Sequence, residues 1–379
     1  MQNVPCFDTP EEAIEFLGLP MNDQGELIMR SGATRPIQDP IELANFVKQK
    51  VCYQITYIPT SNVNLNWRIS GHSRDWILSI SPKLVGVAIL PKDLATETGF
   101  LDPDKFQKIK LLRDLVWSPG SPCPRWHEAG FSVRLQRAWG IQEAVQGENL
   151  GDIWKQLERH EQMQILGDLA RMTESIHIRT VVPTQSIDHA RWAWYLNRIK
   201  MSCRWLVQNN QIKKDMADDI ERQSKFLLSR TPNRALSCIH SDILFHNVFV
   251  RQTRSRWEIT GLIDWETASR VGCPNYDALL GAWWMAGEDA PNRDPEVFSH
   301  FLISYNRDRA LGFLWIPEDP QILDLMLKLV DLTWYLQVLP FTKAREPQRY
   351  KPRFESLNLI LGKIKNGQPH LPDDFRIRS

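Results

Sequence analysis

The sequence predicts an α+β protein of two lobes, a small antiparallel β-sheet lobe over residues 1–146 and a larger, mainly helical lobe over residues 147–379. Three observations carry this. Short alternating or β-branched runs cluster early in the chain, long helical periodicities dominate after Gly147, and a second small group of strand-like segments interrupts the helices between residues 236 and 263.

In the first lobe a helical run, Ile41 to Lys50, precedes strand-like segments at Val51 to Ile58, Val63 to Ile69 and Trp76 to Ile80. Prolines at 91 and 103 and the run SPGSPCPRW punctuate the next stretch of chain. They enclose a helical pattern from Asp104 to Leu115, with Phe106, Ile109, Leu112 and Leu115 on one face. Val133 to Val145 reads as one further strand, and Gly147 marks the lobe boundary. Asn149 is a candidate N-cap for a helix opening near Gly151. From there to about Ile178 the pattern is helical, with Leu157, Ile165, Leu166, Leu169, Met172 and Ile176 on an apolar stripe. A second helical block spans Trp192 to Leu228. Strands return at Leu236 to Ile239, Val248 to Val250 and Trp257 to Ile263, and amphipathic helices fill the rest from Tyr276.

Composition narrows the function classes. With 42% hydrophobic and 24% charged residues, and no uncharged apolar stretch of membrane-spanning length, a soluble protein without a membrane partner is expected. The opening MQNVPCFDTPEEAIEF lacks the basic and apolar regions of a secretory signal, which predicts a cytoplasmic location. A net charge of +1 offers no clustered basic surface for nucleic acid. The six cysteines form no CxxC pair, so neither a zinc site nor a disulfide framework is indicated.

The chemistry concentrates in IHSDILFHNVFVRQTRSRWEITGLIDWE, residues 239–266. Asp242, Asn247 and Asp264 stand where the apolar strand pattern stops. If Val248 to Val250 pairs with Ile259 to Ile263 through the polar turn at Arg254 to Arg256, Asn247 falls opposite Asp264. A carboxylate beside an amide oxygen suits magnesium, which takes oxygen ligands and leaves positions for water and phosphates. Asp242 would lie next to that metal, placed to accept a proton from an attacking hydroxyl. His240 is better suited to bracing the loop, through the backbone or Asp264, than to binding magnesium.

The pattern H-x-D-x-x-x-x-N followed by I-D-W-E resembles the catalytic and metal-binding motifs of the aminoglycoside phosphotransferase family, which includes relatives of choline and homoserine kinases. The resemblance implies a protein-kinase-like bilobal fold, Asp242 as base, and Asn247 and Asp264 as magnesium ligands. It extends to IQEAVQGENLGDIW, similar to the family's hinge strand and following helix, where backbone groups at Gln142, Glu143 and Ala144 would hold the adenine of ATP or the base of GTP. Pro274 and Asp277 in CPNYDALL resemble a further family segment, with Cys273 in place of its usual first aspartate. An aspartate opening a helix is commonly an N-cap, and a structural role is expected for Asp277.

The first lobe departs from the family. Ser79 stands where a strand lysine or arginine would contact phosphates, and Lys108 where a helix glutamate would pair with it. Lys108, Arg68 or Lys83 could supply the missing charge, or could be solvated surface cations. The phosphate-covering loop YIPTSNVN contains no glycine, so Ser61 and Asn62 are its candidate donors. In the second lobe Trp283, Trp284, Trp315, Trp334 and Tyr335, with Glu288 and Asp289, would suit a cationic, amine-bearing hydroxyl acceptor or simply fill a core. The leading expectation is a magnesium-dependent O-phosphotransferase acting on a small molecule. A nucleotide-binding pseudokinase, or the same fold turned to other chemistry, stands beside it.

Overall fold

The computed structural model of the chain describes residues 27–29, 53–58, 65–70, 75–81, most of 106–110, 123–132, 137–181, 187–230, 236–265, 269–287, 293–306, 316, 319–345, 347–372 and 375. The chain divides into two compact units, the first ending at Gln146 and the second beginning at Gly147.

In the first unit six antiparallel strands form one sheet in the order β1-β2-β3-β4-β6-β5. They are β1 (Leu27–Met29), β2 (Tyr53–Ile58), β3 (Leu65–Ser70), β4 (Asp75–Ile80), β5 (Trp126–Ser132) and β6 (Arg137–Glu143). Register pairs Ile55 with Ile69, Arg68 with Ile77, and Ser79 with Gly140. Leu78, Ile80, Ala138, Trp139 and Ile141 are buried, with Phe106 and Ile109 from a helical segment. Phe106 meets Trp126 with ring centroids 5.4 Å apart. A Cβ at Gly140 would stand 2.3 Å from the Trp126 ring, so the absence of a side chain there lets the indole lie against β6. Sequence patterning locates β2, β3 and β4 to within two residues but misses β1 and β5. The second of these, WHEAGFS, carries Gly130 and no clean alternation, and the strand expected over Val133 to Val145 is β6 alone. The helix expected over Ile41 to Lys50 and the outer parts of Asp104 to Leu115 lie outside the described residues.

The second unit opens with β7 (Glu148–Asn149) and α1 (Leu150–Ile153). Asn149 caps α1 as its sequence position suggests, accepting the Gly151 amide at 2.9 Å. Gly147 has φ 112°, and a Cβ on it would stand 2.3 Å from the Val250 carbonyl oxygen, so the turn that opens this unit requires glycine. One continuous helix to Ile178 is not the structure that forms. A 3-10 turn, Trp154–Gln156, intervenes, and α2 (Arg159–Arg179) starts afresh behind a capping box between Glu158 and Glu161. The block from Trp192 likewise divides into α3 (Ile187–Gln208) and α4 (Lys214–Arg230), with Asn210 at φ 54° in the turn between them.

Then come β8 (Ser237–Ile239), a 3-10 turn at Phe245–Asn247, β9 (Val248–Gln252), β10 (Trp257–Leu262) and β11 (Ser269–Gly272). Strand β9 lies between β10 and β7, and β11 pairs with β8. Helices α5 (Pro274–Met285), α6 (Pro295–Tyr305), α7 (Pro320–Arg345) and α8 (Pro347–Lys365) complete the unit. Its core takes in the expected stripe: Ile165, Leu166 and Leu169 of α2 are fully buried, as are Leu279 and Leu280 of α5 and Phe298 and Phe301 of α6. Among the described residues no helix is long and apolar enough to cross a membrane.

Candidate active site

The loop joining β8 to β9 and the end of β10 bring Asp242, Asn247 and Asp264 into one region of the second unit. The β9–β10 hairpin closes through Thr253 and Arg256, pairs Gln252 with Trp257 and Val250 with Ile259, then shifts by a bulge so that Val248 pairs with Leu262. Opposite Asn247 therefore stands Ile263, whose amide donates to the Asn247 carbonyl at 2.9 Å. Asp264 lies one residue beyond the expected pairing. It leaves the strand in the left-handed region, φ 65°, with an exposed side chain. The expected register is thus one residue out, because the hairpin closes two residues tighter, at Gln252 and Trp257, and the bulge recovers only one of them.

His240 ties the two ends of this region together. Its Nε2 donates to the Ile263 carbonyl at 2.8 Å, and its Nδ1 accepts from the Asp242 amide at 3.3 Å. The ring meets Trp265 edge-on at 4.7 Å, and the Trp265 indole donates to the Leu262 carbonyl at 2.7 Å. The bracing role anticipated for His240 is realised through backbone, at Ile263 and Asp242. On the far side Asn149 donates to the His246 carbonyl at 2.7 Å, which fixes the 3-10 turn that delivers Asn247.

Asn247 is buried, and its amide nitrogen donates to both the carbonyl (2.8 Å) and the carboxylate (3.0 Å) of Asp242. Those acceptors orient the amide, since a carbonyl and a carboxylate leave no role for its oxygen on that side. The Asn247 Oδ1 is then turned away from Asp242 and could serve a cation, for which the Asp264 carboxylate is the candidate charged donor. Oxygen donors of this kind fit magnesium. Among the described residues no three His, Cys, Asp or Glu side chains gather into a metal cluster, so such a cation would complete its shell with phosphate and water oxygens.

Asp277 behaves differently from a helix cap. The N-cap of α5 is Cys273, with Pro274 in the first turn, and Asp277 faces inward with 1% of its surface exposed. Its carboxylate accepts the amides of His240 (2.7 Å) and Ser241 (2.5 Å) and faces His177 Nε2 at 3.2 Å. Ser241 has φ 64°, a conformation costing a non-glycine residue roughly 1–2 kcal/mol. The two amide bonds to Asp277 hold it there. The role is structural, as expected, but it serves the loop of Asp242 rather than the start of α5. Sequence reasoning misses His177 altogether. Its only signal is a histidine at the end of an otherwise apolar stripe.

In the first unit the amides of Glu143 and Ala144 donate to the carbonyls of Arg125 and Asp75, both at 2.8 Å, and so belong to the sheet. Ser79 is buried on β4 with 3% exposure. Arg68 is engaged across the β3–β4 turn, with Nε and Nη2 on Asp75 Oδ2 at 2.9 and 2.6 Å. Lys108, Lys83, Ser61 and Asn62 lie outside the described residues, as do Trp315, Glu288, Asp289 and Glu266.

The aromatic residues of the second unit serve mainly as core. Trp283 is 2% exposed, donates to Asp331 Oδ2 at 2.8 Å, and contacts Phe298, His370 and Phe375. Its face is already covered by the Arg293 guanidinium, 3.9 Å from the ring centroid. Trp284 meets Trp334 at 4.3 Å, and Trp334 meets Tyr335 at 5.0 Å.

A sequence model described as a phosphotransferase enzyme family matches residues 55–313. No curated protein sequence matches significantly. Among solved structures, a thermostable mutant of the aminoglycoside phosphotransferase APH(4)-Ia, in ternary complex with AMP-PNP and hygromycin B, superposes with TM-score 0.52 at 15% identity, over 86% of this chain and 97% of that one. The APH(2")-IIa protein of a gentamicin complex gives TM-score 0.53 at 13% identity, over 89% and 98%. An ethanolamine kinase from Plasmodium vivax gives TM-score 0.52 at 13% identity, over 85% and 84%. These likenesses establish the protein-kinase-like bilobal α+β fold.

Proposed function

This chain belongs to the phosphotransferase enzyme family, and we propose that it carries the γ-phosphoryl group of ATP or GTP to a hydroxyl of a small molecule, with Asp242 as the base. The observation that carries this reading is the hydrogen bonding of Asn247, whose amide is turned onto Asp242 so that a ligand oxygen and a base sit back to back. Asp242 would take the acceptor's hydroxyl proton as the acceptor oxygen bonds to the γ-phosphorus. The bond from that phosphorus to the β–γ bridging oxygen breaks, and its electron pair leaves on the nucleoside diphosphate. Magnesium, held by Asn247 Oδ1 and the Asp264 carboxylate, would offset the charge of the transferring group. His240 keeps Asp242 and the Ile263–Asp264 corner in fixed relation, so neither has to be reorganised during the reaction.

Backbone of the hinge strand is the proposed seat of the nucleotide base. Because the Glu143 and Ala144 amides are engaged in the sheet, the base would meet the chain one step on, at Val145. The related structures were solved with AMP-PNP, an ATP analogue, and with hygromycin B or gentamicin, and one relative is an ethanolamine kinase. Amine-bearing polyols and amino alcohols are therefore the acceptors to try first. The aromatic residues of this unit are already occupied by the chain's own cations, Arg293 over Trp283 and Trp284 and Arg353 over Trp334, so they are not proposed as the acceptor's seat.

A second reading, nucleotide binding without transfer, draws on Ser79 buried where the family places a cation and on Arg68 engaged with Asp75. One experiment separates the two. Purified protein with magnesium, ATP or GTP and a panel of amino alcohols, sugars and aminoglycosides should yield an acceptor heavier by one phosphoryl group and an equal amount of nucleoside diphosphate. Nucleotide bound but never consumed favours the second reading, and a nucleotidyl adduct contradicts both.

A further inference from the structure

Residues 366–372 and Phe375, beyond the end of α8, form neither helix nor strand, yet side chains of α5, α6 and α7 hold them closely. The chain leaves α8 through Gly367, at φ 64°. The amides of His370 and Leu371 both donate to Asp324 Oδ1 of α7 at 2.6 Å, and the other oxygen of Asp324 pairs with the buried Lys328 at 2.8 Å. The His370 ring is buried, and its Nε2 donates to Asp331 Oδ2 of α7 at 2.8 Å. That same oxygen receives the Trp283 indole of α5 at 2.8 Å. Phe375 closes the run, its ring centroid 5.5 Å from that of Trp283 and 5.4 Å from that of Phe298 on α6. We propose that Asp331 and His370 are positioning residues for the phosphoryl acceptor: the segment acts as a clasp that sets α7 against α5 and so fixes the wall of helices beside Asp242. The consequence for transfer rests on the reading of Asp242 as the base.

Helix α5 links the clasp to the reacting groups. Tyr276 and Trp283 lie roughly two turns apart on it, and so on one face. Trp283 is held by Asp331, while Tyr276 is buried next to Asp277, whose carboxylate carries the loop of Asp242. Burial pushes the Tyr276 hydroxyl above its ordinary value, and the charges of Arg198, Asp277, Asp242 and Asp331 all bear on it. Tyr195 of α3 meets Tyr276 edge-on at 6.1 Å, and Arg198, one turn further along α3, donates to Gln337 of α7. Helices α3, α5 and α7 therefore come together around Tyr276, within the field of the proposed base. A shift of α7 against α5 would move this wall without breaking the bonds that hold Asp242. The latch is also a costly way merely to fill space. Among the described residues Asp331 Oδ1 and His370 Nδ1 are buried without a hydrogen-bond partner, where apolar side chains would leave nothing unmatched. What the polar pair adds is direction, because one carboxylate oxygen shared by an indole and an imidazole admits one seat of α5 on α7.

The test uses the full chain and the variants His370→Ala, His370→Gln and Phe375→Ala, with Ser224→Ala as control. Ser224 is a buried hydroxyl on α4 bonded to its own helix at Ile220. Each protein is assayed at the same interval below its own melting temperature. Two rates are read: hydrolysis of magnesium–ATP, in which water takes the phosphoryl group and needs no wall, and transfer to ethanolamine and to hygromycin B. Hydrogen exchange of residues 281–286 on α5 and 329–337 on α7 is measured beside that of residues 239–243. His370→Ala should speed exchange of both helix segments about tenfold and leave 239–243 within about twofold. It should lower kcat/KM for the acceptor by about three- to tenfold, chiefly through KM, with kcat for hydrolysis and KM for ATP within about twofold. His370→Gln, whose side-chain amide can still donate to Asp331, should recover part of both losses. The clasp is overturned if α5 and α7 exchange no faster in His370→Ala than in Ser224→Ala, or if hydrolysis and transfer fall together. Should His370→Ala fail to fold, Phe375→Ala meets the same comparison from the other end of the segment. A wild type that never consumes ATP contradicts the phosphotransfer reading, while the exchange measurement still decides the clasp.

Discussion

Two regions of the molecule treat the same reaction differently. Around Asp242 the loop is held by several hydrogen bonds: His240 to Ile263 and Asp242, Asn149 to the turn before Asn247, Asp277 to the loop amides. On strand β4 of the first unit, where the family places a phosphate-contacting cation, Ser79 is buried against its neighbours, and Arg68 on β3 is engaged by Asp75. The difference teaches that the proposed base and metal site can be preorganised even where the usual phosphate-contacting cation is replaced, as at Ser79. Preorganised dipoles contribute at the moment of transfer, whereas a cation on the phosphates contributes to binding as well as to transfer and can be replaced from elsewhere in the chain.

The contrast can be broken at several points. Removing the proposed base should have the largest effect: Asp242→Asn should lower kcat by about 10²–10⁴-fold, as loss of general-base catalysis does. Asp264→Ala and Asn247→Ala should raise the magnesium concentration needed for half-maximal transfer by about tenfold or more, read from a magnesium titration at fixed ATP. Ser79→Lys tests the other region. If β4 does not face a phosphate, an uncompensated buried ammonium should cost about 3 kcal/mol in denaturant unfolding, without tighter binding of ATP. Tighter ATP binding at unchanged stability would instead show that the family's cation position survives here in all but residue type.

The smallest effect concerns the scaffold. Asp294 caps α6 through the amides of Glu296 and Val297 and pairs with Arg159 of α2. Burial opposes its ionisation, but Arg159 and those amides outweigh it and hold the carboxyl below its ordinary 3.8. A lowered folded-state value means the contribution is complete above the unfolded value and is lost as pH falls through the folded one. Asp294→Ala should therefore cost about 1 kcal/mol at neutral pH, and the charge-dependent part of the gap from wild type should shrink as pH falls below the ordinary 3.8 in pH-dependent urea unfolding.

Much of this structure is legible in the sequence, and the parts that are not have identifiable causes. The strands β2 to β4, the hairpin of β9 and β10, and the Asn149 cap follow from alternation and capping chemistry, which are local. The tight closure of the hairpin at Gln252 and Trp257 and the bulge that follows it have no sequence signature, and together they set Asn247 opposite Ile263 rather than Asp264. Breaks in long helical patterns, at Trp154 to Glu158 and at Asn209 to Lys213, escape a periodicity reading because apolar spacing continues across them. The role of Asp277 is unreadable from sequence because its partners, His177 and the loop at His240 and Ser241, are 100, 37 and 36 residues away. Trp283 suits an open cation surface or a core equally well on sequence grounds, and its packing on Phe298, His370 and Phe375, with Arg293 over its face, decides the matter.

The most direct measurement of the central claim compares wild type with Asp242→Asn in two quantities at once, turnover of magnesium–ATP and equilibrium affinity for it. Turnover should fall by at least about a hundredfold with affinity within about twofold, because the proposed base acts on the acceptor proton while the proposed ligands Asn247 and Asp264 would keep the metal. Turnover equal to wild type, or an affinity loss that matches the loss of turnover, would contradict a base at Asp242.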